Sequence, residues 1–424
     1  MGLLPKLCAM VADAAANPSK PNFNHALFEA VASVVADVVK HAKAADAPTT
    51  GDENAKQACR RIEALVFPTF QLVLQQDVQE FAPYVFQIMA LLLEANRPVR
   101  GDAANSAATS TADSAIPEVY LALFPVLLSP TLWERQGNVP ALVRLLEAYL
   151  TRGALDKAAA QLQGVLGVFQ KLIASKAHDH EGFYILNAVT ASLEHATLEP
   201  FLGQVWQILF MRLQTSSTIK FQKAFVVYFC LVCLRYGPEA LHRSIEGVQA
   251  GLFAQLLTSV IVPTATMHVS GDSECTLCCA ALMQLSMQCT KLLCDVNAFG
   301  GVLGAAVALA ERGGGGGAST GGAGPSTAPA GAVEDDEASG AGAAEYGVAF
   351  ATLLYARRDA ANAPIERLIA AVGNPGAHVA TSLGALHRSH PQLVTSTTLA
   401  QLVPNPNLRE RLGEWLTKAG VAIA

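Results

Sequence analysis

An all-α fold is the class this sequence predicts, and three observations predict it. Apolar residues recur with helical periodicity while strand-like alternation is nearly absent. Short apolar segments come in pairs joined by polar turns, as in Leu123 to Leu150, where neither segment has the length to bury its hydrophobic face alone. Helix-start signals near Asn138, Asp179 and Thr218 are spaced by about 40 residues.

Taken in order, the first strong element is Phe23 to Lys43, whose Leu27, Val31, Val34 and Val38 form one apolar stripe. Val78 to Asn96 repeats the pattern with Phe81, Val85, Ile88, Met89 and Leu92, and Asp77 is placed to cap it. Pro68 and Pro83 lie inside or near the start of apolar helices, where proline bends or breaks them. Asn138 precedes Pro140 in a first turn, and Asp179 precedes Glu181 and Gly182 as a cap. The 40-residue spacing is that of HEAT or armadillo repeats, and the shorter tetratricopeptide period with its Trp, Gly and Tyr pattern is not visible. The expected architecture is therefore a HEAT-repeat (armadillo-like) α-α superhelix, a solenoid whose core grows with each stacked pair.

Two low-complexity stretches interrupt it. Arg97 to Ala115 reads as an inter-helix loop. Arg312 to Ala343 holds the glycine run Gly313 to Gly317 and the acidic cluster Glu334, Asp335, Asp336 and Glu337, a composition that cannot offset chain entropy by burial and is expected to be a disordered linker. The run is not a phosphate loop, because no Lys-Ser/Thr follows it and no strand precedes it. The expected organisation is a repeat array over residues 1–311, the linker over 312–343 and a terminal helical cap over 344–424. Helices of that cap are expected near Tyr346 to Arg357, Ile365 to Val372, Ala377 to Leu386 and Leu408 to Lys418, with Arg409, Glu410, Arg411 and Glu414 on a polar outer face.

Bulk properties restrict the function. The 424 residues are 51% hydrophobic, much of it alanine, and carry a formal net charge of -6. Clustered basic surface is what phosphate recognition needs, so nucleic acid is an unsuitable partner and a basic protein segment a suitable one. The apolar runs Ala224 to Leu234 and Ala298 to Ala310 fall short of the ~20 residues that span a hydrocarbon core, so membrane insertion is not expected. The amino terminus lacks a convincing secretory or myristoylation signal.

No catalytic or metal constellation emerges, and neither an enzyme nor a cofactor is expected. Cys230 with Cys233 and Cys275 with Cys278 are CxxC pairs, but they lie among Phe229, Leu231, Leu277 and Leu282 rather than on polar turns, which favours buried thiols over zinc. His178, Asp179, His180 and Glu181 form the densest polar group; as an inter-helix turn it is explained by capping and solvent exposure, with a contact loop as the functional alternative. Trp133, Glu134 and Arg135 sit in the turn of the Leu123 to Leu150 pair, where a tryptophan either meets a partner or folds back over the helix junction. Glu334 to Glu337 would act, if functional, as an electrostatic hook for a basic partner.

Four long words, NPSKPNFNH (Asn17 to His25), LQQDVQEFAPYVFQIMALLLE (Leu74 to Glu94), LWERQGNVPALVRLLEAYL (Leu132 to Leu150) and LGVFQKLIASKAHDHEGFYILN (Leu166 to Asn187), resemble the CAS-type karyopherins, the exportin-2 family. GVAFATLLYA, from Gly347 to Ala356, is similar to that family's segment after an acidic loop, whereas the Gly-rich insertion departs from its pattern. The resemblance implies a superhelix of HEAT repeats that returns importin-α from nucleus to cytoplasm together with Ran-GTP, shuttling through the nuclear pore. It aligns this chain with the carboxy-terminal part only. The principal Ran-GTP site belongs to the amino-terminal repeats, so Ran-GTP binding by this chain is expected to be weak or lost. The family word SKAHDHEG adds Lys176 to the candidate contact residues, with Trp133, Glu134, Arg135, His178, Asp179, His180 and the four acidic residues. The alternative reading is a general HEAT-repeat scaffold or adaptor with other protein partners.

Overall fold

The computed structural model describes residues 2–44, 48–95, 116–157, 159–289, 292, 295–314, 352–356 and 364–423. These are helices joined by short turns, with no strand among the described residues. The chain divides into two compact units, residues 1–168 with 319–359, and residues 169–318 with 360–424.

The first unit is built from α1 (Leu4–Ala15), α2 (Pro21–Ala44), α3 (Pro48–Gln75), α4 (Ala82–Ala95), α5 (Glu118–Leu127) and α6 (Val139–Thr151). Proline at the first position of α2 supplies helical φ where no N–H bond is required. The buried stripe of α2 is Leu27, Phe28, Val31, Ala32, Val35 and Val39, while Val34 and Val38, expected inside, lie at its edge. Phe28 causes the shift. It stacks on Tyr84 at 4.8 Å and meets Phe81 edge-on at 5.0 Å, and turning this largest side chain inward rotates the face by one residue. Pro68 sits inside an uninterrupted α3, and Pro83 occupies the first turn of α4, where its missing N–H costs nothing.

α4 is buried nearly all round, packing on α6, α2 and α3 as an inner helix. The pair α5 and α6 closes on itself through the Tyr149 hydroxyl, which donates to Tyr120 O at 2.8 Å, and through Phe124 stacked on Tyr149 at 5.3 Å. The 97–115 loop expectation falls outside the described residues.

The second unit contains α7 (Asp179–Ser192), α8 (His195–Ser216), α9 (Ile219–Tyr236), α10 (Pro238–Glu246), α11 (Val262–His268), α12 (Asp272–Gln288), α13 (Val296–Gly313), α14 (Pro364–Ile369), α15 (Pro375–Ser389), α16 (Ser396–Leu402) and α17 (Pro406–Lys418). Alternate helices touch: α7 packs on α9 and α9 on α12, while α8 packs on α10. That is the two-layer stacking of HEAT pairs, one layer inner and one outer. Inner helices α9 and α12 are accordingly buried on nearly every side, continuously from Phe225 to Cys233 and from Cys275 to Met283. The Thr218 side chain caps α9 by accepting from Phe221 N, and Gly237, at φ +92°, ends it in a conformation that side chains disfavour.

Helix α13 runs through Arg312 and Gly313, two residues into the expected linker. Arg312 explains the extension, since its guanidinium donates to Val269 O and, at 2.9 Å, to Ala265 O. The glycine and acidic stretch beyond Gly314, with Glu334, Asp335, Asp336 and Glu337, lies outside the described residues. α15 packs on α12 and α13, and α17 on α15, so these last helices continue the stack of the second unit. Arg409, Glu410, Arg411 and Glu414 are exposed on α17. Thr352 to Ala356, expected to be helical, form a bend and turn instead.

Candidate functional site

Polar turns are one place where a helical array presents side chains to a partner, beside the exposed faces of its helices. Two of them hold the residues singled out from the sequence.

In the first unit, short 3-10 turns at Pro130–Glu134 and Gln136–Asn138 connect α5 to α6. Trp133 folds back into the junction, 4% exposed, and its indole N–H donates to Leu127 O at 2.7 Å. Glu134 and Arg135 remain on the surface. Arg135 grips Asp77 with two parallel bonds of 2.6 and 2.7 Å, and the guanidinium holds the Asp77 carboxyl below its ordinary range. Asp77 therefore does not cap α4. With φ +53° it turns outward between α3 and α4, and the bidentate pair ties that turn to the turn between α5 and α6. The pair is largely exposed, so its role is orientation more than stability.

In the second unit, Lys176 is exposed at the turn before α7. His178 stands at the N-cap position without a side-chain cap bond, and burial lowers its pKa. Asp179, expected to cap the helix and face solvent, is 1% exposed; its carboxylate accepts from Arg212 Nη2 at 2.8 Å across to α8. The ion pair wins because Arg212, itself 10% exposed, would otherwise be a buried charge without a counterion. His180 lies 3.9 Å from Asp179 and 3.6 Å from Glu181, yet burial and the charge of Lys220 push it down to about 4. It is a neutral imidazole at pH 7, and those contacts are not ion pairs under that condition. The outward part of this site is Lys176 with Lys220, Tyr184 and Ile219, the last two 46% and 60% exposed. The structure thus gathers Lys176 to His180 at one turn and Glu134, Arg135 and Asp77 at another.

The cysteines among the described residues are interior. Cys230 and Cys233 on α9 and Cys275, Cys278 and Cys279 on α12 are all buried; the hydrogen bond from Cys278 and burial raise the Cys230 pKa, and burial raises those of Cys233, Cys275 and Cys279. No group of three or more metal-ligating side chains occurs among the described residues. Nor, among them, is any helix long and apolar enough to cross a membrane.

Sequence reasoning missed a third polar constellation, in the first unit, where Glu29, Gln87 and Arg144 hold the main chain of Leu353 to Ala356. These residues come from three helices, and no spacing in the sequence relates them.

A family model described as the CAS/CSE protein, C-terminus, matches residues 1–408. Exportin-2 of Homo sapiens is 40% identical over 294 residues, covering 69% of this chain and 27% of its own length. Exportin-2 of Xenopus laevis is 42% identical over 280 residues, covering 65% and 26%. Among solved structures, one described as the exportin Cse1 in its cargo-free, cytoplasmic state matches with a TM-score of 0.71, covering 98% of this chain and 37% of its own at 23% identity, a likeness of fold. The chain spans roughly a quarter of the length of the curated relatives it matches.

Proposed function

The chain belongs to the CAS/CSE family, matching its carboxy-terminal region, and from that premise we propose that it is the cargo-holding part of a nuclear export receptor. Its partner is importin-α, carried from nucleus to cytoplasm, and it acts by wrapping rather than by chemistry. Ran-GTP completes the complex in the full receptor, and the energy of the cycle comes from GTP hydrolysis by Ran. Contact of this chain alone with Ran-GTP is weak or absent, because the chain corresponds to only 27% of the human relative's length.

The observation that carries this reading is the family match over residues 1–408, laid on two-layer helix stacking that leaves polar turns outward. Glu134 and Arg135 on one turn, and Lys176 beside His178 and His180 on another, are the contact candidates, with Asp179 buried below the second turn rather than on its surface. Those of them that are exposed stand on buried anchors, Trp133 beneath one turn and the Asp179–Arg212 pair beneath the other. Glu334, Asp335, Asp336 and Glu337 supply negative charge for a basic partner segment, raising the rate of encounter rather than fixing the final pose.

Binding of purified importin-α to the chain, followed by surface-based kinetics at two salt concentrations, tests this. Saturable binding is expected, with a slower association at low salt when the four acidic residues are replaced by serine. Absence of binding by a folded chain overturns the assignment.

A further inference from the structure

In the first unit, α2, α4 and α6 converge on five residues from a remote part of the chain, Thr352 to Ala356, and hold them by their backbone. Leu353 N–H donates to Gln87 Oε1 at 2.8 Å. The next two N–H groups, of Leu354 and Tyr355, both point at the Glu29 carboxylate, the second at 3.2 Å. Consecutive amides around one carboxylate form an anion nest, here with the anion supplied by the helix and the nest by the docked segment. Arg144 completes the set by donating to Ala356 O.

Each of these three side chains is oriented by the helices themselves. Gln87 Nε2 donates to Pro83 O at 3.1 Å, which presents its Oε1 as the acceptor. Arg144 is clamped by Glu94 through bonds of 3.1 and 2.8 Å, which aims Nη1 at the docked segment. Glu29 is 16% exposed with His25 one helical turn away, and Gln87 is 7% exposed. Polar side chains this buried are arranged in advance for a backbone, and a backbone carries no residue identity. Identity enters only through depth: Leu353 and Ala356 are 1% and 0% exposed, whereas Leu354 and Tyr355 are each 52% exposed.

We propose that Glu29, Gln87 and Arg144 form a peptide-docking site, and that the segment Thr352 to Ala356 is its internal ligand. The site takes a short non-helical stretch with a large aliphatic residue first and a small residue three positions later. The contacts lie within the first unit and are separate from the turns assigned to importin-α, so the two ideas stand or fall independently.

The test uses the full chain and a fluorescent peptide of residues 350–359, FATLLYARRD, with AFATLLYARRD, residues 349–359, as a longer control. Leu353→Asp in the chain should expel the internal segment, and the peptide should then bind saturably, at least tenfold more tightly than to the wild-type chain. Adding Glu29→Ala and Arg144→Ala to that variant should abolish peptide binding while the helical circular dichroism is retained. Hydrogen exchange supplies a second readout that needs no peptide, because Glu29→Ala alone should speed exchange at Leu354 and Tyr355. Equal peptide binding by the wild type and Leu353→Asp, no binding by a folded Leu353→Asp chain, or unchanged exchange in Glu29→Ala each overturns the proposal.

Discussion

Replacing Asp179 by alanine is expected to cost about 3–5 kcal/mol of stability in the second unit, the range for breaking one side of a buried ion pair. The structure sets the value at that level for three reasons. Asp179 is 1% exposed and Arg212 is 10% exposed, so neither charge is well solvated. The bond between them is 2.8 Å, a charge-assisted contact. Arg212 Nε is already buried without a hydrogen-bond partner, so losing the carboxylate removes the main compensation for that guanidinium. The assay is urea unfolding followed by far-ultraviolet circular dichroism, with amide exchange in α7 as the local readout. The double change Asp179→Leu with Arg212→Met is the control, because an apolar pair of similar volume carries no buried charge and is expected to return to within about 2 kcal/mol of the wild type. A loss below about 1 kcal/mol in Asp179→Ala would refute the reasoning, since it would mean the guanidinium finds water without the turn opening.

Three further outcomes follow from the same geometry. Trp133→Phe keeps most of the buried ring but leaves Leu127 O without its 2.7 Å donor, and should cost about 1–3 kcal/mol by urea unfolding; a neutral result contradicts a bonded indole. His180, held at about 4 against an ordinary 6.5, makes the unfolded chain the better proton binder between those values, so its contribution to stability is whole above pH 6.5 and declines as pH falls toward 4. An imidazole titration by nuclear magnetic resonance with a midpoint near 6.5 contradicts that, and His180→Gln should flatten the pH dependence. Cys230, Cys233, Cys278 and Cys279 should remain unmodified by iodoacetamide at pH 8 in the native chain and react only after unfolding, as read by peptide mass mapping.

What could be read from the sequence was what depends on local pattern. Helix starts at Asn138, Asp179 and Thr218 are followed by α6, α7 and α9, because periodicity and turn chemistry act within a few residues. The α2 stripe is displaced by one residue since Phe28 finds Tyr84 on α4 and Phe81 just before it, a choice made in three dimensions. Asp77 and Asp179 have the residue type of caps, but Arg135 and Arg212, 58 and 33 residues away, claim them for ion pairs. Thr352 to Ala356 read as part of an apolar helix. Its backbone is instead held by side chains from Glu29 to Arg144, hundreds of residues upstream, and no local signal marks such a contact. The family words, by contrast, were legible as words. They pointed to the CAS-type karyopherins through Asn17 to Asn187, and the family model covers that region within residues 1–408.

The most direct test of the proposed function is equilibrium binding of importin-α to the full 424-residue chain, measured by analytical ultracentrifugation with and without Ran-GTP. The expected result is a defined complex with importin-α, and little or no complex between this chain and Ran-GTP alone. A folded chain that sediments independently of importin-α, or that binds Ran-GTP tightly by itself, contradicts it.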